Sequence, residues 1–155
     1  MIISRRQAVA LAGAAAVSLL KADMGLAALL PGITVTKDPN CRCCAGWVDH
    51  LKQAGFAVTV VTATNLKPLK AQLGVPDDLT SCHTAQIGAY VIEGHVPASA
   101  IQRLLQELPQ GTGLAVPGMP AGSPGMGGEP EIYEVILFSP GGRSVFGHYR
   151  GADPA

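Results

Sequence analysis

Three cysteines fall within four residues, Cys41-Arg42-Cys43-Cys44, and a fourth, Cys82, lies well downstream. In an oxidising compartment four cysteines would by default make two disulfides, with three possible pairings. The spacing argues against that default. Adjacent cysteines rarely bridge each other, because a disulfide wants Cα atoms about 4.4–6.8 Å apart and a near-perpendicular torsion. Hydrophobic residues make up 48% of the chain, so the core has no need of covalent staples. Three clustered thiols suit a metal or redox centre better.

The flanking pattern puts that cluster at a strand–helix junction. Ile33-Thr34-Val35-Thr36 alternates apolar and polar residues as a strand does, and Asp38-Pro39-Asn40 signals a turn. Residues 43–54 carry helical spacing, with Cys44, Val48 and Leu51 on one row and Cys43, Trp47, His50 and Ala54 on the next, stopped by Gly55. Residues 57–61 read as a second strand and 66–73 as a short helix. Residues 80–84 lead into a strand at 89–92, and 98–108 form a helix burying Ile101, Leu104, Leu105 and Leu108. Residues 131–138 and 144–149 make a closing hairpin around Pro140-Gly141-Gly142. Strand–helix–strand units with a terminal hairpin predict a small α/β sandwich. The stretch 117–128, rich in Gly, Pro and Met, is expected to be an ordered loop.

Thiolates select copper(I), zinc or iron–sulfur clusters. Cys43 and Cys44, about 100° apart on a helix, cannot both aim at one point without adjustment, and the three cysteines together could bridge more than one metal ion. Cys41 and Cys44 also form a Cys-x-x-Cys pair at a helix start, where the dipole favours thiolates; this permits redox chemistry as the alternative. Mononuclear zinc is the rival metal, but Cys82-His83 is a poor second chelating pair for a tetrahedral ion. Met119 and Met126 offer thioethers, good copper(I) ligands and poor zinc ones. The candidate ligands are therefore Cys41, Cys43, Cys44, Cys82, His83, Met119 and Met126. His50 lies roughly 10 Å along the helix from Cys43, which leaves its part open. His95, at a strand–helix junction, reads as a capping or packing residue, and Trp47 as core shielding the site.

Lys and Arg together balance Asp and Glu, and no basic stripe exists, which excludes a nucleic-acid partner. Ser4-Arg5-Arg6-Gln7 precedes an apolar run over residues 8–20, which as a helix spans about 20 Å and is too short to cross a bilayer. With small residues around Gly25 to Ala28, residues 1–28 read as an export signal, leaving a mature domain of 29–155 with no membrane span. The paired arginines point to the twin-arginine route, although Ala8 stands where a bulky apolar residue is usual.

Cys41-Arg42-Cys43-Cys44 with Trp47 and His50, Leu79-Thr80-Ser81-Cys82-His83-Thr84, and Tyr90-Val91-Ile92-Glu93-Gly94-His95-Val96-Pro97 follow one another along the chain. Gly113-Leu114-Ala115-Val116-Pro117-Gly118-Met119-Pro120 and Gly122-Ser123-Pro124-Gly125-Met126 continue the series. Together they resemble the CopG-type copper-resistance proteins over nearly all of residues 33–150. The resemblance implies a thioredoxin-like sandwich, with a small mixed sheet and flanking helices, in the periplasm. It also implies a cysteine-bridged multinuclear copper(I) site, possible redox handling of copper, and other periplasmic copper-handling proteins as partners. Carried over by position, the implied ligands are Cys41, Cys43, Cys44, Cys82, Met119 and Met126. Arg42 stands where glycine is common, and Gly127 where an acidic residue commonly follows the second loop Met.

Overall fold

The computed structural model describes residues 30–155, so the export signal expected at 1–28 lies outside the described residues. The chain runs β1 (Ile33–Lys37), α1 (Arg42–Gln53), β2 (Val58–Thr62), α2 (Lys67–Gln72), a 3-10 turn (Asp77–Leu79), β3 (His83–Ile87), β4 (Tyr90–Glu93) and α3 (Ala98–Glu107). It continues with β5 (Gly113–Ala115), β6 (Ile132–Ser139), β7 (Gly142–Arg150) and β8 (Asp153–Pro154). All the strands join one open mixed sheet of eight, ordered β2-β1-β3-β4-β5-β6-β7-β8. This is larger than the small sheet expected. β3, β5 and β8 were not among the strands predicted, and the pairing they complete fuses the N-terminal unit and the C-terminal hairpin into one sheet.

The two faces of the sheet are packed differently. Alternate residues of a strand point to opposite faces. Ile92, Leu114 and Val135 therefore join the main core with Trp47, Leu51, Ile101 and Leu104 of α1 and α3. Their neighbours Val91, Ala115 and Ile136 join a smaller cluster with Val75, Leu79 and Phe138 on the other face. α1 buries Cys44, Trp47, Val48 and Leu51, the face its spacing predicted, and Gly55 ends it at φ 92°. α3 begins without a side-chain cap of its own. His50 Nε2 accepts the Ala98 N–H at 3.0 Å instead, which ties the end of α1 to the start of α3.

Trp47 is fully buried, and its Nε1–H donates to the Val96 carbonyl at 2.8 Å. It thus locks α1 to the segment between β4 and α3. Trp47→Phe keeps an aromatic ring but removes that donor, and about 1–3 kcal/mol of stability should be lost. Urea denaturation of the reduced, metal-free protein measures it.

Candidate metal centre

Every segment of the site leaves the sheet at the same end. β1 pairs antiparallel with β3, Lys37 facing His83, and β4 pairs antiparallel with β3, Thr84 facing Glu93. The C-terminal ends of β1 and β4 therefore flank the N-terminal end of β3. After β1 comes the turn at Asp38, whose carboxylate accepts the Asn40 N–H at 2.8 Å. Cys41 follows as the N-cap of α1, its Sγ accepting the Cys44 N–H at 3.3 Å.

The four cysteine sulfurs all lie within 4.8 Å of one another. Cys41 and Cys44 are joined in a disulfide, while Cys43 and Cys82 are free. Cys43 Sγ lies 3.4 Å from Cys41 Sγ and 3.9 Å from Cys82 Sγ. Cys43 and Cys44, about 100° apart on a helix, are thereby brought into one sulfur cluster. Cys82 enters from β3 and closes the gap, and the helix starts at Arg42, so both cysteines lie in its first turn. The bridge is the Cys-x-x-Cys pair expected of the redox alternative. Arg42 is exposed and forms no salt bridge among the described residues.

A second donor group overlaps the first. Cys82, His83 and His95 each offer one ligand atom, all within 4.8 Å of one another. Cys82 Sγ lies 3.4 Å from His83 Nδ1 and 3.6 Å from His95 Nε2. The opposite ring nitrogens face backbone carbonyls: His83 Nε2 is 2.9 Å from Gly94 O, and His95 Nδ1 is 2.7 Å from Pro124 O. A carbonyl only accepts, so those nitrogens carry the protons. The lone pairs are left on His83 Nδ1 and His95 Nε2, aimed at Cys82. Holding the outer N–H on a carbonyl is how proteins orient a ligating histidine. Burial pulls His83 down to about 3, with the charge of neighbouring His95 adding to the fall. Burial also lowers His95, partly offset by the hydrogen bond to Pro124. Both rings are therefore neutral near pH 7, the form that binds metal. Burial pushes the Cys82 thiol up to about 12, and the charge of neighbouring Cys43 adds to the rise. A thiophilic metal would have to displace that proton.

The capping role expected of His95 falls to His50, whose part the sequence left open. His95, read as a capping residue, faces Cys82, and His50 supplies the cap of α3. A signal for His95 existed in the sequence. Gly88-Ala89 is a two-residue turn between β3 and β4, and extending their register past Thr84 and Glu93 sets Cys82 opposite His95. Trp47 lies against His83, with ring centroids 4.4 Å apart, so it touches the site as well as the core.

The Met-bearing loop is ordered by its own backbone hydrogen bonds, among them Gly122 N–H to Gly127 O at 3.1 Å and Met126 N–H to Ser123 O at 2.7 Å. It packs on α1 through Gly125. A Cβ there would meet Cys43 O and Trp47 N at 2.5 Å, and φ is 87°, so only glycine fits. Met126 is half-buried beside that contact, and Met119 is exposed.

Comparison with known proteins agrees with this geometry. Residues 79–126 match the family described as protein of unknown function, DUF411. Two solved structures of copper resistance protein CopG, form 1 and form 2, are similar to the chain, each at 42% identity with a TM-score of 0.72. The match covers 77% of this chain and 98% of each of theirs. The chain belongs to the CopG family of copper-resistance proteins. No curated protein matches it.

The donors of this CopG-family chain are soft sulfur and borderline imidazole, with no carboxylate in either group. Such a set fits copper or zinc and excludes magnesium and calcium, which take oxygen ligands. Because one pair is bridged, thiol titration in urea without reductant should count two thiols per chain, and four after reduction. A count of four before reduction would mean the bridge is absent from the isolated protein.

Proposed function

We propose that this protein binds copper(I) in the periplasm as part of copper resistance, holding more than one ion in a site bridged by Cys41, Cys43, Cys44 and Cys82. The observation that carries the proposal is the sharing of Cys82 between a four-cysteine group and a Cys-His-His group. Together they hold more donors than one three- or four-coordinate ion uses, and the shared thiolate can bridge. His83 and His95 extend the donor set, and Met126, and Met119 through movement of its loop, supply thioethers. The relatives named for copper resistance support copper over zinc. On this reading the fold is a thioredoxin-like sandwich elaborated by the C-terminal hairpin, residues 29–155 are the mature domain, and residues 1–28 direct export by a twin-arginine-type signal. Among the described residues no helix is long and apolar enough to cross a membrane. Other periplasmic copper-handling proteins are the expected donors and acceptors of the ion.

Reduced, anaerobically purified mature protein should take up more than one copper(I) per chain. Cys82→Ser should lower that stoichiometry further than loss of one peripheral ligand such as Met119→Leu. One zinc at full occupancy without copper(I) uptake would sink the proposal.

A second reading is favoured by the Cys41–Cys44 bridge. The reduced pair would pass one electron to each of two copper(II) ions, yielding two copper(I), one disulfide and two protons; a thiol reductant would then restore the dithiol. Mixing reduced protein with copper(II) under argon should release or retain two copper(I) for each bridge formed, and Cys44→Ser should abolish the stoichiometric step. Copper(II) that stays oxidised while the thiol count is unchanged rejects this activity.

A further inference from the structure

Ser81, Thr84 and Glu93 lie inside the motifs that carry Cys82, His83 and His95, yet none of them is a metal ligand. The structure gathers them around one carboxylate. Glu93 is fully buried. Its Oε1 accepts the Ser81 N–H at 2.6 Å and an N–H of Lys70 Nζ at 2.6 Å, and its Oε2 accepts the Thr84 hydroxyl at 2.6 Å. Lys70, itself buried, also donates to Thr84 Oγ1 at 2.6 Å and to the His83 carbonyl at 3.4 Å. The carboxylate thus grips the chain one residue before Cys82 and one residue after His83. It stands on β4, two residues before His95.

Stability alone does not account for such a pair. Removing two charges from water costs several kcal/mol per ion, and an apolar replacement is often as stable or more so. Packing holds the two ends of the gripped segment unequally: His83 and Thr84 are buried in the sheet, whereas Ser81 and Cys82 are half-buried. Thr80, Ser81 and Cys82 border an open cavity of about 680 Å³ whose opposite wall is α2, at Leu66, Lys67 and Ala71. On the other side the backbone just after β4 presses close, since a Cβ on Gly94 would meet Val116 O at 2.8 Å and Ser81 Oγ at 3.0 Å. Beside a cavity, hydrogen bonds have to do the fixing.

We propose that Glu93, held by Lys70 and Thr84, is the positioning residue of this site. It sets the Ser81–Thr84 segment so that Cys82 Sγ, His83 Nδ1 and His95 Nε2 converge before metal arrives. The purpose of that placement rests on the metal-binding reading above; the placement of Cys82 can be tested without it.

Three variants separate the possibilities. Glu93→Gln keeps the shape and removes the charge. Thr84→Val cuts one grip and leaves the ion pair intact. Lys70→Met with Glu93→Gln removes both charges together. Loss of hydrogen bonds that orient metal ligands typically costs about 10–100-fold in metal affinity, and that loss is expected for Glu93→Gln and Thr84→Val in competition with a copper(I) chelator. X-ray absorption of the copper-loaded variants should show a lower nitrogen share. The double variant should regain thermal stability relative to Glu93→Gln but not the affinity. Wild-type affinity and nitrogen share with only a lowered melting temperature would overturn the proposal.

A metal-free measurement runs beside this one. In Cys43→Ser protein with the Cys41–Cys44 bridge intact, Cys82 is the one free thiol among the four cysteines. Adding Thr84→Val or Glu93→Gln should speed its alkylation by iodoacetamide about tenfold, as the released segment exposes the sulfur. An unchanged rate overturns the proposal. If the wild-type protein takes up no copper(I), the metal reading falls and the alkylation rate alone decides the role of Glu93. Should Glu93→Gln fail to fold, Thr84→Val carries both measurements.

Discussion

Antiparallel pairing on both edges of β3 is the constraint from which the site follows. Because β1 and β4 both run against β3, their C-terminal ends meet its N-terminal end. β5 runs parallel to β4 and delivers the Met-bearing loop to the same end of the sheet. A strand pair with one antiparallel hairpin would collect two of these segments. β3 collects the cysteine turn, the Cys-His pair, His95 and the loop, because it lies inside the sheet with a partner on each side. The side chains of β3 alternate between α1 and the cavity face, so a slip of one residue would exchange the environments of Cys82 and His83.

The convergence places an unusual number of polar groups in the interior. His83, His95, Glu93 and Lys70 are all buried, and among the described residues no buried side-chain nitrogen or oxygen lacks a hydrogen-bond partner. The partners are largely backbone: Gly94 O and Pro124 O hold the rings, the Ser81 N–H holds the carboxylate, and Val96 O holds Trp47. A network satisfied in this way is rigid, because releasing any member leaves another group unpaired in a medium of low dielectric. The nitrogens left without protons, His83 Nδ1 and His95 Nε2, are the ones turned towards sulfur. Fixed tautomers and neutral rings ready the imidazole half of the site. The thiol half is held back by the Cys41–Cys44 bridge and by the proton on Cys82.

Much of the frame was legible in local patterns. The apolar row of α1, the stop at Gly55 and the turn at Asp38 are set by neighbours in sequence, and they appear where the spacing puts them. On α3, Ile101 and Leu104 are buried as expected, but Leu105 is half-buried and Leu108, which ends the helix at φ 47°, is exposed. β3 was not legible as a strand, since His-Thr-Ala-Gln-Ile carries mixed polarity although four of its five positions are buried. His83 and Thr84 are buried because they bond to Glu93, Gly94 and Lys70, which are distant in sequence. The same long-range pairing explains why His95 faces the cysteines instead of capping α3. His95 looks like a cap because it precedes a helix, and the residue that does the capping, His50, lies on another helix altogether. Lys70 could not be connected to Glu93 without the sheet between them. Residue types marked the cysteine cluster as a site, and register decided which histidines face it.

The disulfide gives this arrangement a direction. Thiolate and bridge are mutually exclusive states of Cys41 and Cys44, so a metal bound through both sulfurs and the bridge compete for the same two atoms. A metal bound through both sulfurs would stabilise the reduced form by mass action, as any ligand stabilises the state it prefers. Oxidation then expels a metal held through those sulfurs, or at least strips two donors from it. Cys43 and Cys82 remain, with the two imidazoles beside them. When Cys41 and Cys44 are bridged, the histidine half keeps its three donors, Cys82, His83 and His95. Arg42, exposed at the first position of α1, adds a positive charge where the helix start already favours anionic sulfur.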